Sequence, residues 1–225
     1  MNPLYRSPAR ALVRLAWTHR TAPGWDLYFI ADQLDVPRSL DLSLRVSGRR
    51  PELWDAVTGE VRPAETWRAR SGRTDLRLRL APGESTFVVL REPTTLTSSE
   101  AGPNWLEPRV VRRLEGAWQV AFDPAFGGPK GPVRFDELDD WSTRPEPEIH
   151  HYSGTATYRR TLTWSAPREG PRRIWLELGR VADLAEVTVN GVACGVAWTA
   201  PWRVEITPAL RPAGLLGPLE IVEIR

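Results

Sequence analysis

Residues 152–206 decide the fold of this chain: they contain YSGTATYRRTLTW (152–164), RIWLELGRVADLAEVTVNGVACG (173–195) and VAWTAPWRVEI (196–206). Short runs of β-branched and aromatic residues alternate here with turn residues. Asn190-Gly191 lies between two such runs, 185–189 and 192–194. A type I′ turn needs a positive φ at both central residues, and Asn-Gly between apolar runs is the strongest short hairpin signal. The stretch therefore predicts a series of short antiparallel strands.

The N-terminal part of the chain shows the same period of two. Leu40, Leu42 and Leu44 alternate with polar residues, which indicates a strand with one buried and one wet face. Short strands separated by turn residues at this spacing predict an immunoglobulin-like β-sandwich over residues 1–91. Its seven predicted strands are 12–18, 25–31, 40–46, 52–57, 66–70, 74–80 and 85–91.

The remaining residues predict a linker and a second all-β domain. Residues 92–109 are dominated by Pro, Thr, Ser and Gly without periodicity, which favours a linker. Residues 110–225 predict a jelly-roll, galactose-binding-like β-sandwich. Its predicted strands are 116–122, 154–164, 172–178, 185–189, 192–196, 202–206 and 219–224.

Composition excludes several function classes. The 225 residues include 30 basic and 28 acidic ones, and basic pairs such as Arg112-Arg113 are too short to follow a phosphate backbone, so nucleic acid is not predicted as a partner. No run approaches the roughly 18 apolar residues of a membrane helix, and Arg10 and Arg14 interrupt any signal-peptide core, so neither membrane nor secretion is predicted. The single cysteine, Cys194, excludes an internal disulfide and is predicted to be a buried structural thiol.

Four motifs of the second domain resemble the sugar-binding jelly roll of family-2-type glycoside hydrolases. They occur in order: a YSG…Y strand at 152–158, an apolar strand ending in Gly at 174–179, an Asn-Gly hairpin closed by a glycine at 187–195, and PWRVEIT at 201–207. Upstream, DLYFIADQ, RVSGRRPELWDAVTGEVRPA and LEGAWQVAFDPAFGGP resemble the C-terminal region of family-106 α-L-rhamnosidases.

This resemblance implies a function for the chain. In those enzymes such a sandwich and jelly roll follow a large catalytic (β/α) barrel, whereas no βα alternation is present here. The catalytic carboxylates of the family lie in the barrel, so none is assigned to this chain. The resemblance therefore implies a non-catalytic accessory or carbohydrate-binding region, with a saccharide and a catalytic barrel domain as expected partners.

An acidic cluster keeps two other roles open. A glycosidase needs two carboxylates about 5–9 Å apart, and such a pair could come from Asp139, Asp140, Glu146 and Glu148. Asp139 and Asp140 could also bind calcium, which prefers oxygen ligands. The proline-broken sequence around them favours a solvated loop over either role, and no other cofactor is predicted.

The 11 tryptophans favour a saccharide ligand, because aromatic rings stack on the apolar faces of sugars. Tryptophans within strands, such as Trp118, Trp164 and Trp175, are interpreted as core residues. Loops of a jelly roll carry ligand contacts. The predicted carbohydrate-binding residues are Trp141, Tyr152, Trp198 and Trp202, with Arg159, Asn190 and Arg203 as polar partners. A free-standing carbohydrate-binding protein and a self-sufficient hydrolase remain the alternative hypotheses.

Overall fold

The structure, a computed structural model, describes residues 14–162 and 173–210 and the backbone of 218–224. Two compact units divide the chain, Met1–Arg109 and Val110–Arg225. Antiparallel strands dominate both units, and the helical pieces within the described ranges are three or four residues long. The all-β prediction is confirmed.

The first unit is a two-layer β-sandwich. One sheet has the strand order β1-β2-β8-β4-β5 and the other β3-β7-β6-β9. Side chains from both sheets meet in one core, as a sandwich requires. The strands are β1 (Leu15–Ala22), β2 (Trp25–Asp32), β3 (Arg38–Leu44), β4 (Arg49–Asp55), β5 (Val61–Pro63), β6 (Thr66–Arg70), β7 (Arg73–Leu80), β8 (Ser85–Pro93) and β9 (Ser98–Glu100).

Period-two alternation explains this core. Leu40, Leu42 and Leu44 on β3 face Leu76 and Leu78 on β7, and all of them are nearly inaccessible to solvent. The seven predicted strands all occur, with ends shifted by at most four residues; the first two residues predicted for β1, 12 and 13, lie outside the described residues.

Residues 92–109, predicted as a linker, contribute structure to the first unit. Strand β9 pairs with β6, and the Asn104 side chain is buried. Its Oδ1 accepts from the Thr66 N–H at 3.0 Å, and its Nδ2 donates to the carbonyl oxygens of Thr66 and Arg77 at 2.6 and 2.9 Å. One asparagine thus ties this segment to two strands. Sequence periodicity could not reveal a tie made by a single side chain.

The second unit has a six-stranded sheet, β11-β10-β12-β17-β14-β15, and a two-stranded sheet, β13-β16. One core contains side chains from both sheets. Residues 163 and 164 of the strand predicted at 154–164 lie outside the described residues, and so does residue 172 of the strand predicted at 172–178. The strands are β10 (Trp118–Phe122), β11 (Val133–Phe135), β12 (Thr155–Thr161), β13 (Trp175–Glu177), β14 (Leu184–Val189), β15 (Val192–Ala197), β16 (Arg203–Glu205) and β17 (Pro218–Ile224).

The predicted Asn-Gly hairpin joins β14 to β15. Asn190 has φ 53° and Gly191 has φ 78°, so both central residues adopt the positive φ that a type I′ turn requires. The hairpin prediction is confirmed.

Candidate functional site

Trp141 and Tyr152, predicted to line a surface groove, lie in the core of the second unit. The Trp141 side chain is 1% exposed, and its Nε1 donates to the Tyr158 hydroxyl at 2.6 Å. The Tyr152 hydroxyl donates to the Thr155 carbonyl oxygen at 2.9 Å and accepts from the Asp123 N–H at 3.1 Å. Both polar tips are bonded inside the protein, so neither residue presents a ring to a ligand.

Asn190 and Arg159 take different positions. The Asn190 Nδ2 donates to the Ala209 carbonyl oxygen at 2.8 Å, which braces the hairpin turn against the segment that follows β16. Arg159 is exposed on β12, in register with Gln119 of β10. The structure therefore gives Asn190 a structural contact and leaves Arg159 on the surface of the large sheet.

Trp198, Trp202 and Arg203 belong to the segment that leads from β15 into β16. Trp198 is 55% exposed, whereas Trp202 is half-buried against the second core. The Trp202 carbonyl oxygen accepts from the Leu178 N–H at 2.8 Å, which anchors the start of β16 beside the end of β13. Of the predicted residues, these three come together along one short segment.

A surface that the sequence analysis did not single out lies on the outer side of β13 and β16. Successive side chains of a strand point to opposite sides, and the paired residues Leu176 and Val204 are buried on the inner side. The neighbouring pairs, Trp175 with Glu205 and Glu177 with Arg203, therefore lie on the outer side, as does Arg173. We call this surface the Trp175 face; it consists of Arg173, Trp175, Glu177, Arg203 and Glu205.

Charges on the Trp175 face are arranged around the indole ring. The guanidinium carbons of Arg173 and Arg203 lie 4.9 and 5.9 Å from the ring centroid of Trp175. Nε and Nη2 of Arg173 both donate to Glu205, at 3.1 and 2.7 Å. These hydrogen bonds from Arg173 hold the pKa of Glu205 below its usual range, against the opposing effect of burial. Glu205 is thus a stable anion beside two cations.

This surface offers an aromatic ring with the guanidinium groups of Arg173 and Arg203 over it, and a Glu205 carboxylate that is bonded to Arg173. Sugar hydroxyl groups both donate and accept hydrogen bonds, and tryptophan packs on their apolar C–H faces. Trp175 was interpreted as a core residue because it lies in a strand. The signal that would have placed it outside is the pairing of the Trp-Leu-Glu and Arg-Val-Glu triplets, whose central residues are the apolar, inward ones.

The acidic cluster is held by Arg144 and by backbone contacts. Arg144 donates to Glu146 at 2.7 Å and lies 3.6 Å from Asp139. The Asp140 carboxylate accepts from the N–H and the hydroxyl of Ser142 at 3.0 and 2.9 Å. The hydrogen bond from Arg144 lowers the pKa of Glu146. A general acid of a glycosidase needs a raised pKa, so Glu146 is shifted in the opposite direction.

Among residues 14–162 and 173–210, no group of three or more His, Cys, Asp or Glu side chains is arranged to hold a metal ion, which includes the pair Asp139 and Asp140 considered for calcium. None of the described helices has the length and apolarity needed to cross a membrane.

Burial raises the pKa of the Cys194 thiol, which disfavours the reactive thiolate.

Comparison with known proteins places these features in a family context. A family model for α-L-rhamnosidase matches residues 5–68. A curated protein of Formosa agariphila named "Putative beta-glucuronidase" is 40% identical over 95 residues, which cover 42% of this chain and 8% of that protein.

The structural comparison covers almost the whole chain. The rhamnosidase from Novosphingobium sp. PP1Y superposes with a TM-score of 0.84 and 34% sequence identity, over 97% of this chain and 20% of that chain. The chain thus spans a small part of both relatives. Together the matches support a glycoside-hydrolase-related protein of rhamnosidase-like sequence and β-sandwich fold.

Proposed function

We propose that these 225 residues form a non-catalytic accessory region of a rhamnosidase-like glycoside hydrolase. The region would pack against a catalytic domain and hold a saccharide on its second unit, which we interpret as a galactose-binding-like jelly roll. The observation that carries the proposal is the superposition of 97% of this chain on only 20% of a rhamnosidase. A whole enzyme of that type needs far more polypeptide than is present here.

The state of the carboxylates supports the non-catalytic role. Asp139 and Glu146 share Arg144 as a partner, and Asp140 is bonded to Ser142. Hydrolysis requires one protonated carboxyl group and one carboxylate facing the same bond. The arginine hydrogen bond that lowers the pKa of Glu146 makes this carboxylate poorly suited to donating a proton.

The Trp175 face and the exposed Trp198 support the saccharide-binding role. Trp175 is half-buried and has the Arg203 guanidinium over its ring, and the Trp198 side chain is more than half exposed. Stacking of a nucleobase on one aromatic side chain contributes on the order of 1–3 kcal/mol by alanine substitution, and we expect a sugar ring to gain a comparable amount. Two such rings would give the weak binding that is typical of accessory sugar sites.

The catalytic side is tested with the purified chain and an aryl α-L-rhamnoside. We expect no turnover above the buffer rate. Turnover that disappears in Glu146→Gln or Asp139→Asn would instead establish a self-sufficient hydrolase and overturn the non-catalytic role.

The binding side is tested by titrating the chain with rhamnose-containing and rhamnose-free polysaccharides while recording tryptophan fluorescence and calorimetric heat. We expect binding that Trp175→Ala and Trp198→Ala each weaken by about tenfold or more. Trp25→Ala is the matched control, since Trp25 is also exposed but lies in the first unit. Equal weakening by the control variant, or no response to any glycan, would remove the saccharide from the proposal.

The second candidate function is a free-standing carbohydrate-binding protein. The exposed Trp198 favours it, because its ring is available without any partner domain. Tight glycan binding by the isolated chain, together with no association with a catalytic domain, would favour this candidate over the first.

A further inference from the structure

The five-stranded sheet of the first unit has an apolar outer face that its own core does not use. On this face Phe29 is in register with Phe87, Phe87 with Trp54, and Trp54 with Val61. In the next row Leu27 is in register with Val89. We call this surface the aromatic face; it consists of Leu27, Phe29, Trp54, Val61, Phe87 and Val89, of which Val89 is buried.

Alternation shows that the aromatic face points away from the core. Tyr28, Ile30, Val88 and Leu90 are buried in the core, so their neighbours along β2 and β8 must point to the opposite side. An antiparallel sheet with one face in water carries polar residues on that face. Strand β8 instead reads Phe-Val-Val-Leu at 87–90 and is apolar on both sides, which is typical of a strand covered on both faces.

The face is incompletely covered by the described residues. Phe29, Phe87 and Trp54 are half-buried, and Val61 is 49% exposed. The rings of Phe29 and Phe87 contact each other with centroids 4.9 Å apart. Large rings in a contiguous patch are the side chains that dominate protein–protein binding energy.

The polar groups at the edge of this face are already satisfied. Trp54 Nε1 donates to Glu52 at 2.8 Å, and Arg91 Nε donates to the same carboxylate at 3.1 Å. The Arg91 guanidinium also lies over the Trp54 ring, 5.2 Å from its centroid. A saccharide needs free donors and acceptors, whereas an apolar protein surface needs none. The chemistry of the face therefore favours a protein over a sugar.

We infer that the aromatic face is the surface on which the catalytic part of a rhamnosidase-like enzyme docks. This inference rests on the proposed function and names the contact surface that it requires. The superposing region makes up one fifth of the Novosphingobium rhamnosidase chain, so four fifths of such an enzyme is available to cover this face. Phe87, which is in register with both Phe29 and Trp54, is the central residue of the face.

The experiment compares one substitution in two settings. Phe87→Ser is made in this chain, and serine is also placed at the superposing position of the intact Novosphingobium rhamnosidase. The matched control is Asp41→Ser, an exposed position on the outer side of the other sheet, with its counterpart in the intact enzyme. Melting temperature is measured for the chain, and the thermal inactivation rate for the intact enzyme.

We expect Phe87→Ser to change the melting of the chain little and to speed inactivation of the intact enzyme by about tenfold or more, as loss of a central interface residue does. Asp41→Ser and its counterpart should do neither. An intact enzyme that tolerates serine at the Phe87 position as well as at the Asp41 position would overturn the inference.

Two further measurements cover the remaining outcomes. Hydroxyl-radical labelling of the unmodified chain should modify Trp54 and Phe87 but spare the core residue Tyr28. Protection of all three residues would overturn the inference. This measurement does not depend on whether Phe87→Ser folds. Light scattering should show a monomer, and a dimer that Phe87→Ser dissociates would assign the face to a second copy. Glycan titration of Phe87→Ser separates this inference from the proposed function, because saccharide binding should persist in that variant.

Discussion

At the scale of single residues, burial separates tryptophans that look alike in the sequence. Trp141 and Trp198 both flank turns, yet Trp141 is 1% exposed and Trp198 is 55% exposed. Trp141 is buried because its ring packs edge-on against Phe122 and Tyr152 and its Nε1 has an internal acceptor. Adjacent sequence cannot supply those partners, since Phe122 and Tyr158 come from distant strands.

Trp141→Ala should therefore lower the free energy of unfolding by about 3–5 kcal/mol, because it opens a large cavity in the second core. Trp198→Ala should change it by about 0.5 kcal/mol or less, as exposed positions do. Urea unfolding followed by circular dichroism measures both. Similar losses in the two variants would contradict the difference in burial.

Glu205 gives a prediction about pH. Its pKa in the folded chain lies below the ordinary value of 4.5, so the Arg173 contact stabilises the fold above that pH and is lost as the pH falls through the folded pKa. Glu205→Gln should therefore be less stable than the unmodified chain at about pH 6, and the difference should shrink towards about pH 3. Urea midpoints at both pH values test this, and a difference that grows on acidification would contradict it.

At the scale of elements, long alternating strands were predictable and short ones were not. Strands β3 and β7 carry four or more alternating positions, and hydrophobic period alone located them. Strands β5 and β9 have three residues each, Val-Arg-Pro and Ser-Ser-Glu, with no apolar pattern. They form because neighbouring strands β4 and β6 present unpaired backbone groups. Such pairing depends on tertiary context.

The hairpin at Asn190-Gly191 allows a direct test of backbone conformation. Space around the Gly191 Cα is open, so Gly191→Ala should destabilise only through its positive φ, by about 1 kcal/mol. Gly131→Ala is the matched control, because Gly131 is equally open but has no positive φ. Thermal melting of both variants measures the difference, and equal effects would contradict the turn type.

At the scale of the whole molecule, each unit has a core of its own. The first core is built from β1–β8 and the second from β10 onward. Leu78→Ala removes a buried side chain in the first core and should cost about 2–5 kcal/mol. Hydrogen exchange should show faster exchange at amides of the first unit and unchanged exchange in the second. Acceleration throughout the chain would mean that the two cores unfold together.

The candidate site was the least predictable part of the molecule. Trp202 and Arg203 were predicted from residue type and from their position beside a turn; Trp202 precedes β16 and Arg203 begins it, and their role in binding stays a prediction. Trp175 was missed because its residue type favoured the core over the local pattern. In residues 173–177 the apolar Ile174 and Leu176 alternate with Arg173, Trp175 and Glu177, so alternation alone places Trp175 on the polar side of its strand.

The position of β17 has a consequence for synthesis of the protein. This strand pairs with β12 on one side and β14 on the other, so it is the only bridge between the two halves of the six-stranded sheet within the described ranges. During translation, β10 to β12 and β14 to β15 emerge from the ribosome well before residues 218–224. The sheet cannot close until that last strand leaves the exit tunnel, and the nascent chain must hold two separate, open strand edges until then.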